Sequence, residues 1–354
     1  MKILVIQQKR IGDVLVSTTL CNNLRRLLPD AEIHYLIYSF TKDMVVGNPN
    51  IDEIVLFEDS DRTLVNILRF ALKIRRNRYD VIIDPYMKPE SRFFSMMSGA
   101  KTRVSFKSSA GIYNVVVPLR DYPIHECGTV LTNRLNLLRP VIGEDVELDH
   151  QHRIFLSQEE VDRGHQLLQA QGLDPERPIA VFGIFGSVPD KSYPGDYMMA
   201  LLEWFQDRYD AQIMLNYFPE QTEEALRFYE SMKNKENVYP DLASQTLREL
   251  AAVLSSTTLY IGNDSGHTHI AKSMNVPTFT ILSPFIARYS WGVLDQLDAH
   301  DSVDIIDMVP EEVEYMTRRQ IVPYSAGLYL KMRPEMVIPK LDAWLRSIGV
   351  LARE

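Results

Sequence analysis

Three short segments of this chain collect the residue types that do chemistry. The first is Lys9-Arg10-Ile11-Gly12-Asp13, which follows an apolar run and opens a helical pattern. Ligands of open α/β sheets bind at the carboxyl ends of strands, so a carboxylate on such a turn is well placed to act. Gly12 allows close backbone approach, and two compatible roles are open to Asp13: capping the helix and meeting a ligand held at this edge. The turn has no G-x-G-x-x-G, which argues against an ordinary dinucleotide fingerprint.

The second segment is Gly186-Ser187-Val188-Pro189-Asp190-Lys191-Ser192-Tyr193-Pro194. A hydroxyl (Ser187) and an ammonium (Lys191) on a loop that opens a helix can hold a phosphate. The same string also suits a surface turn with an exposed lysine, and it is not a P-loop. The third segment runs from Tyr260 to His269, from an apolar run into a helix. Asp264, Ser265 and Gly266 fall where unsatisfied N–H groups and the helix dipole favour an anion such as a diphosphate. His269 follows one turn later; a capped helix with a buried histidine is the alternative. Residues two apart do not share a helix face, so His267 and His269 are not expected to bind a metal.

Arg69, Lys73, Arg75, Arg76 and Arg78 follow an apolar stripe. Such a stretch suits either an anionic membrane surface or an outer helix with a solvated basic face.

The elements that must position these segments are legible as short apolar runs alternating with helical patterns. Strands are expected at Lys2–Gln7, Ile33–Tyr38, Ile54–Phe57 and Val81–Asp84, with helices at Asp13–Leu28 and Leu64–Arg76. The pattern restarts after a polar stretch, Gly143–Arg153, expected as a linker. Further strands are expected at Ile179–Phe182, Gln212–Tyr217, Leu259–Ile261 and Thr278–Leu282, with helices at Thr246–Leu254 and Ser265–Met274. Runs without alternation suit a parallel sheet covered on both faces, so two doubly wound α/β domains are predicted. Their expected limits are 1–150 and 151–333. A last helix within 334–354 is expected to pack back on the first domain.

Composition sets the class. The chain has 354 residues, 45% hydrophobic and 24% charged, enough apolar surface for two globular cores. No apolar run reaches the roughly 18–20 residues that span a bilayer. The N-terminal run turns polar at Gln7, too early for a signal peptide, and two cysteines imply no disulfide framework, so a cytoplasmic protein is expected. Residues 1–120 carry 18 Lys/Arg against 12 Asp/Glu, whereas the whole chain has a net charge of −9. A basic front half on an acidic protein suggests an anionic partner, or chance variation in solvated charge.

These residues together resemble the heptosyltransferase family, glycosyltransferase family 9. The resemblance covers nearly the whole chain through Lys2-Ile3-Leu4-Val5, Ile11-Gly12-Asp13-Val14-Leu15, Asn48-Pro49-Asn50-Ile51-Asp52-Glu53-Ile54, Tyr79–Asp84 and Ser98–Val104. It continues in Lys191-Ser192-Tyr193-Pro194 and Ile261-Gly262-Asn263-Asp264-Ser265-Gly266, with His269 and Ala271 behind. Tyr193 stands where the family often has Trp, and Asn263 where Val or Thr is commoner.

The resemblance implies a GT-B fold, two Rossmann-like domains facing across a cleft, the first binding the acceptor and the second the donor. It implies an ADP-heptose donor, a lipid A-linked core oligosaccharide acceptor, and inversion at the anomeric carbon without a metal or other cofactor. Asp13 is the implied general base. Gly12, Ser187, Lys191, Asp264, Ser265, Gly266 and His269 are implied at the donor, Gln245 at its adenine, and Glu220, Glu223 or Glu224 at its ribose. Lys88 and Arg92, with Lys101, Arg103 and Lys107, are expected to meet the anionic acceptor. An enzyme with this acceptor docks peripherally on the cytoplasmic face of the inner membrane and has no nucleic-acid partner. Met316–Gln320 and Tyr329-Leu330 are similar to members that add a branching heptose late. Other outcomes left open are another nucleotide sugar, an epimerase, a protein serine acceptor, or a non-catalytic nucleotide-binding relative.

Overall fold

The computed structural model describes residues 1–106, 111–119, 127–240, 246–295, 297, 299–313, 316–350 and 352. Two units divide the chain. The first takes in the described residues of Met1–His125 and Thr129–Phe155, the second those of Glu126–Gly128 and Leu156–Glu354.

The first unit alternates β1 (Lys2–Ile6), α1 (Ile11–Leu27), β2 (Glu32–Tyr38), β3 (Glu53–Phe57), α2 (Leu64–Arg76), β4 (Val81–Ile83), α3 (Pro89–Ser98), β5 (Thr102–Ser105) and β6 (Val115–Val116). It adds α4 (Thr129–Asn136) and α5 (Arg139–Ile142). All strand pairs are parallel, in the order β3-β2-β1-β4-β5-β6. Ile3, Leu4, Val5 and Ile6 are each 0% exposed, which explains why β1 shows no polar alternation. Phe57, Phe70 and Phe94 interlock beneath α2 and α3. Residues 143–153, expected as a linker, are tied along α1: Asn23 and Asp149 exchange hydrogen bonds at 2.7 and 2.8 Å.

The second unit contains α6 (Gln158–Ala170), β7 (Ile179–Gly183), α7 (Gly195–Arg208), β8 (Gln212–Asn216), α8 (Thr222–Ser231), β9 (Val238–Tyr239), α9 (Leu247–Leu254), β10 (Leu259–Asn263), α10 (Gly266–Ser273) and β11 (Thr278–Ile281). After these come α11 (Arg288–Trp291), β12 (Asp301–Val303), α12 (Ile305–Met308), α13 (Arg318–Ile321), α14 (Ser325–Tyr329) and α15 (Pro334–Ser347). Its parallel sheet has the order β12-β11-β10-β7-β8-β9. Counted from its own first strand, this is the first sheet's order run backwards. The helix expected near the C-terminus is α15, which packs on α7 and β12. Val337, Leu341, Trp344 and Leu345 are buried in this unit's core, and Trp344 Nε1 donates to Ala299 O at 3.0 Å.

Both sheets are therefore Rossmann-like, and each has a switch point where the chain winds first one way and then the other. These lie between β1 and β4 and between β7 and β10. The expected strands and helices all form, with ends shifted by a few residues at most. The short edge strands β6, β9 and β12 carry too few apolar residues to stand out from sequence. Among the described residues no helix is long and apolar enough to cross a membrane.

Candidate functional site

At the first switch point the chain leaves β1 and enters α1 at once. Arg10 is the N-cap of α1 and makes no side-chain cap hydrogen bond. This corrects one expectation: Asp13 is not the cap but lies within the first turn, where the helix dipole favours a carboxylate. Gly12 is buried beneath it. Arg134 of α4, itself 5% exposed, donates to Asp13 O at 3.0 Å and pairs with Asp13 Oδ1. Lys9 Nζ lies 3.4 Å from the same oxygen. Among the described residues these ion pairs end on Oδ1 and leave Oδ2 outside them. Arg134 was not singled out from sequence, because nothing local marks a cation whose partner is 121 positions away.

The loop after β4 shares this edge. Asp84 is 0% exposed and accepts from the Tyr86 and Met87 N–H groups, each at 2.9 Å, and from the Tyr113 hydroxyl. Burial pushes its carboxyl up, against the pull of those hydrogen bonds. The turn so formed delivers Lys88, exposed, to the N-cap of α3 and Arg92, half-buried, to its first turn. Lys107 lies outside the described residues.

At the second switch point Lys191 and Asp264 form an ion pair of 2.9 Å. Asp264 follows β10, Ser265 is the N-cap of α10 without a side-chain cap bond, and Gly266 is its first residue. The lysine is therefore not a free surface group: its side chain is 25% exposed and that of Asp264 only 9%. A Cβ on Gly186 would lie 2.2 Å from Lys191 O, so the loop needs glycine there to fold back on itself. Ser187, beside it, is half-buried. Asn263 staples the site, accepting from Tyr193 N at 2.7 Å and donating to Gly183 O at 3.0 Å. Tyr193 is 1% exposed and donates to Met332 O, so its ring is a core position and not a ligand contact.

The two histidines of α10 are both buried and diverge. His267 Nδ1 bonds Asn216 Oδ1 at 2.8 Å, and its ring lies 4.1 Å from that of Phe218. His269 meets Trp291 edge-on at 5.8 Å. Burial pushes His267 down to about 4, so its ring is neutral near neutral pH. Among the described residues no cluster of three or more His, Cys, Asp or Glu is placed to hold a metal ion. Glu220, Glu223 and Glu224 are all exposed near the start of α8. Gln245 lies outside the described residues.

Beyond β11 a pocket of about 570 Å³ is lined by Phe285, Tyr289, Trp291, Ile306, Val313 and Met316 among others. It adjoins the Lys191–Asp264 pair, since Lys191 Nζ is 6.0 Å from the Phe285 ring. The buried Lys272–Asp295 pair at 2.9 Å anchors the loop that forms its wall.

Comparison with known proteins gives a consistent result. Lipopolysaccharide heptosyltransferase 1 of Campylobacter coli is 24% identical over 300 residues, 79% of this chain and 83% of that protein. A glycosyltransferase family 9 protein from Veillonella parvula superposes with TM-score 0.72 at 18% identity, over 93% of this chain and 97% of its own. Escherichia coli heptosyltransferase WaaC, solved with ADP-2-deoxy-2-fluoro heptose, superposes with TM-score 0.65 at 14% identity, over 94% and 99%. These likenesses establish the GT-B fold. Residues 67–285, more than half of the chain, match glycosyltransferase family 9 (heptosyltransferase) itself. By that match the chain belongs to the heptosyltransferase family and is a glycosyltransferase.

Proposed function

We propose that the chain transfers heptose from ADP-heptose, with inversion, to the lipid A-linked inner core of lipopolysaccharide, working peripherally on the cytoplasmic face of the inner membrane. The observation that carries this is the coincidence of charge with topology. Each Rossmann-like unit presents its charged candidates at its own switch point, Asp13 in the first and Lys191 with Asp264 in the second. The heptosyltransferase solved with an ADP-heptose analogue supports the choice of donor.

In the proposed step the acceptor hydroxyl oxygen attacks the anomeric carbon from the face opposite ADP. Its proton passes to Asp13 Oδ2, and the carbon–oxygen bond to the β-phosphate breaks with its electron pair on the phosphate. Lys191 and the N–H groups at the start of α10 stabilise the charge that develops on ADP, with Ser187, Ser265, Gly266 and His269 lining the donor. The acid that holds the ribose is one of Glu220, Glu223 and Glu224, and Gln245 meets the adenine. Lys88 and Arg92 meet the acceptor's negative charge from the loop and helix beyond β4. The first unit is thus the acceptor side and the second the donor side.

A thermal-shift series with ADP-, GDP- and UDP-sugars, followed by product analysis with a defined core acceptor, tests the proposal. Selective stabilisation by ADP-heptose and a heptosylated product are expected, since a ligand of the folded state alone raises stability. Stabilisation by a UDP- or GDP-sugar in its place, with transfer of that sugar, refutes it.

A further inference from the structure

The outward face of α2 is apolar. Its inward face, Phe70, Ala71 and Ile74, is buried in the first unit's core. On the opposite side Leu64, Val65, Leu68 and Leu72 are 87%, 60%, 46% and 39% exposed. Leu64, Leu68 and Leu72 recur at every fourth position and so form one stripe along the helix. A surface helix normally turns polar residues outward, and an apolar patch rimmed by charge marks a binding surface.

The helix itself carries charge of one sign, while Glu58, Asp59 and Asp61 fall on the turn before it. Across its 13 residues α2 carries Arg69, Lys73, Arg75 and Arg76 and no carboxylate. All four cations are exposed, on a protein whose net charge is −9. Among the described residues none of the four is paired with an acid: Arg69 donates to Asn66 Oδ1 and Arg75 to Met97 O. The patch also extends toward the carboxyl edge of the sheet, where Asp13 lies. Phe40, just past β2, is 59% exposed and stacked on Tyr38, and Arg62 covers the Tyr38 ring at 5.1 Å.

We infer that α2 is the surface by which this protein lies on an anionic lipid bilayer, its leucines entering the headgroup boundary and its cations meeting lipid phosphates. A second copy of the chain is a poorer occupant. A two-fold contact sets each patch against itself, which would oppose cation to cation. The inference rests on the proposed function only for the presence of the acceptor at a membrane; the choice of surface is read from α2 alone.

The test uses the full chain and sedimentation with phosphatidylcholine vesicles, with and without phosphatidylglycerol. Binding to the anionic vesicles is expected, weakened by salt. The double variant Leu64→Glu/Leu68→Glu is expected to bind about tenfold or more weakly. Arg69→Gln/Lys73→Gln should bind more weakly and with a shallower salt dependence. These side chains are exposed, so an unchanged melting temperature and ADP affinity certify the fold. A Leu68→Trp variant gives a second readout, a blue-shifted emission on vesicle binding. The inference is overturned if the leucine variant partitions like the wild type. It is also overturned if that variant only converts a dimer to a monomer, since the stripe then covers a second copy. Turnover on a short, lipid-free acceptor is measured in parallel. Vesicle binding through α2 in a chain that transfers nothing supports the docking face and refutes the function. Normal turnover with no loss of vesicle binding in the leucine variant does the reverse.

Discussion

Arg134 holds Asp13 at two points, donating to its backbone oxygen at 3.0 Å and pairing with one carboxylate oxygen, Oδ1. A guanidinium that binds both main chain and side chain of one residue fixes the position of the turn and the rotamer together. The carboxylate is thereby oriented with one oxygen engaged and the other available. A proton acceptor needs that geometry, because its efficiency depends on where the lone pair sits before the reaction.

Replacing Asp13 by Asn keeps the shape and the backbone contact but removes the proposed proton acceptor. We expect kcat to fall by about 10²–10⁴-fold, the usual contribution of a positioned base, with ADP affinity unchanged. Initial rates with a defined acceptor measure this. Transfer within a few-fold of wild type, in a folded variant, places the base elsewhere.

Arg134→Lys retains charge but cannot make the two-point grip. A tenfold or larger loss of kcat is expected, with a stability cost of about 1–3 kcal/mol for a disrupted buried hydrogen bond to a charged group. Because Arg134 acts through Asp13, the double variant with Asp13→Asn should lose little more activity than Asp13→Asn alone. Additive losses in kcat would show that Arg134 has a separate task.

Lys191→Ala removes the cation beside Asp264 at the mouth of α10. ADP affinity by calorimetry should weaken about 10- to 100-fold, the equivalent of one hydrogen bond to a charged group. Lys191→Arg should recover part of it. Equal affinity in all three proteins would make the Lys191–Asp264 pair structural only.

His267 introduces a pH dependence. Burial holds its pKa down at about 4, against an ordinary value of 6.5, so the unfolded chain takes up its proton first on acidification. Stability therefore falls as pH drops from about 6.5 to about 4, by up to about 1.4 kcal/mol per pH unit for this one proton. His300, pushed down to about 2 by burial and by Lys272, adds to the slope in the same direction. Urea unfolding between pH 7 and pH 5 should show a slope reduced in His267→Asn, by an amount that approaches about one proton only near pH 5. An identical slope would mean that His267 is not held neutral.

The basic stretch Arg69–Arg78 shows how far sequence carries. Its apolar and cationic periodicity is local and readable, yet whether the leucines face core or solvent depends on which side of α2 the sheet occupies. Phe70 and Ile74 fill the space against Phe57 and Phe94, and Leu64 and Leu68 are what remains outside. The short edge strands escape notice for a related reason: the two residues of β6 or of β9 become a strand only because a longer neighbour offers its hydrogen bonds.

By itself the sequence determined the buried strands, the helices between them and the three turns that carry charge, because each depends on residues within one or two helical turns of one another. The apolar runs of β1 and β7 need no distant partner to be recognised, and neither does Ser265-Gly266 at the head of α10. Only the tertiary structure decided that Arg134 grips Asp13 across 121 positions and that Lys191 meets Asp264 across 73. It also set the strand order that brings each pair to a switch point. A charge in sequence has a sign but no address; burial against a particular neighbour supplies the address, since a buried ion is stable only where its counterion lies.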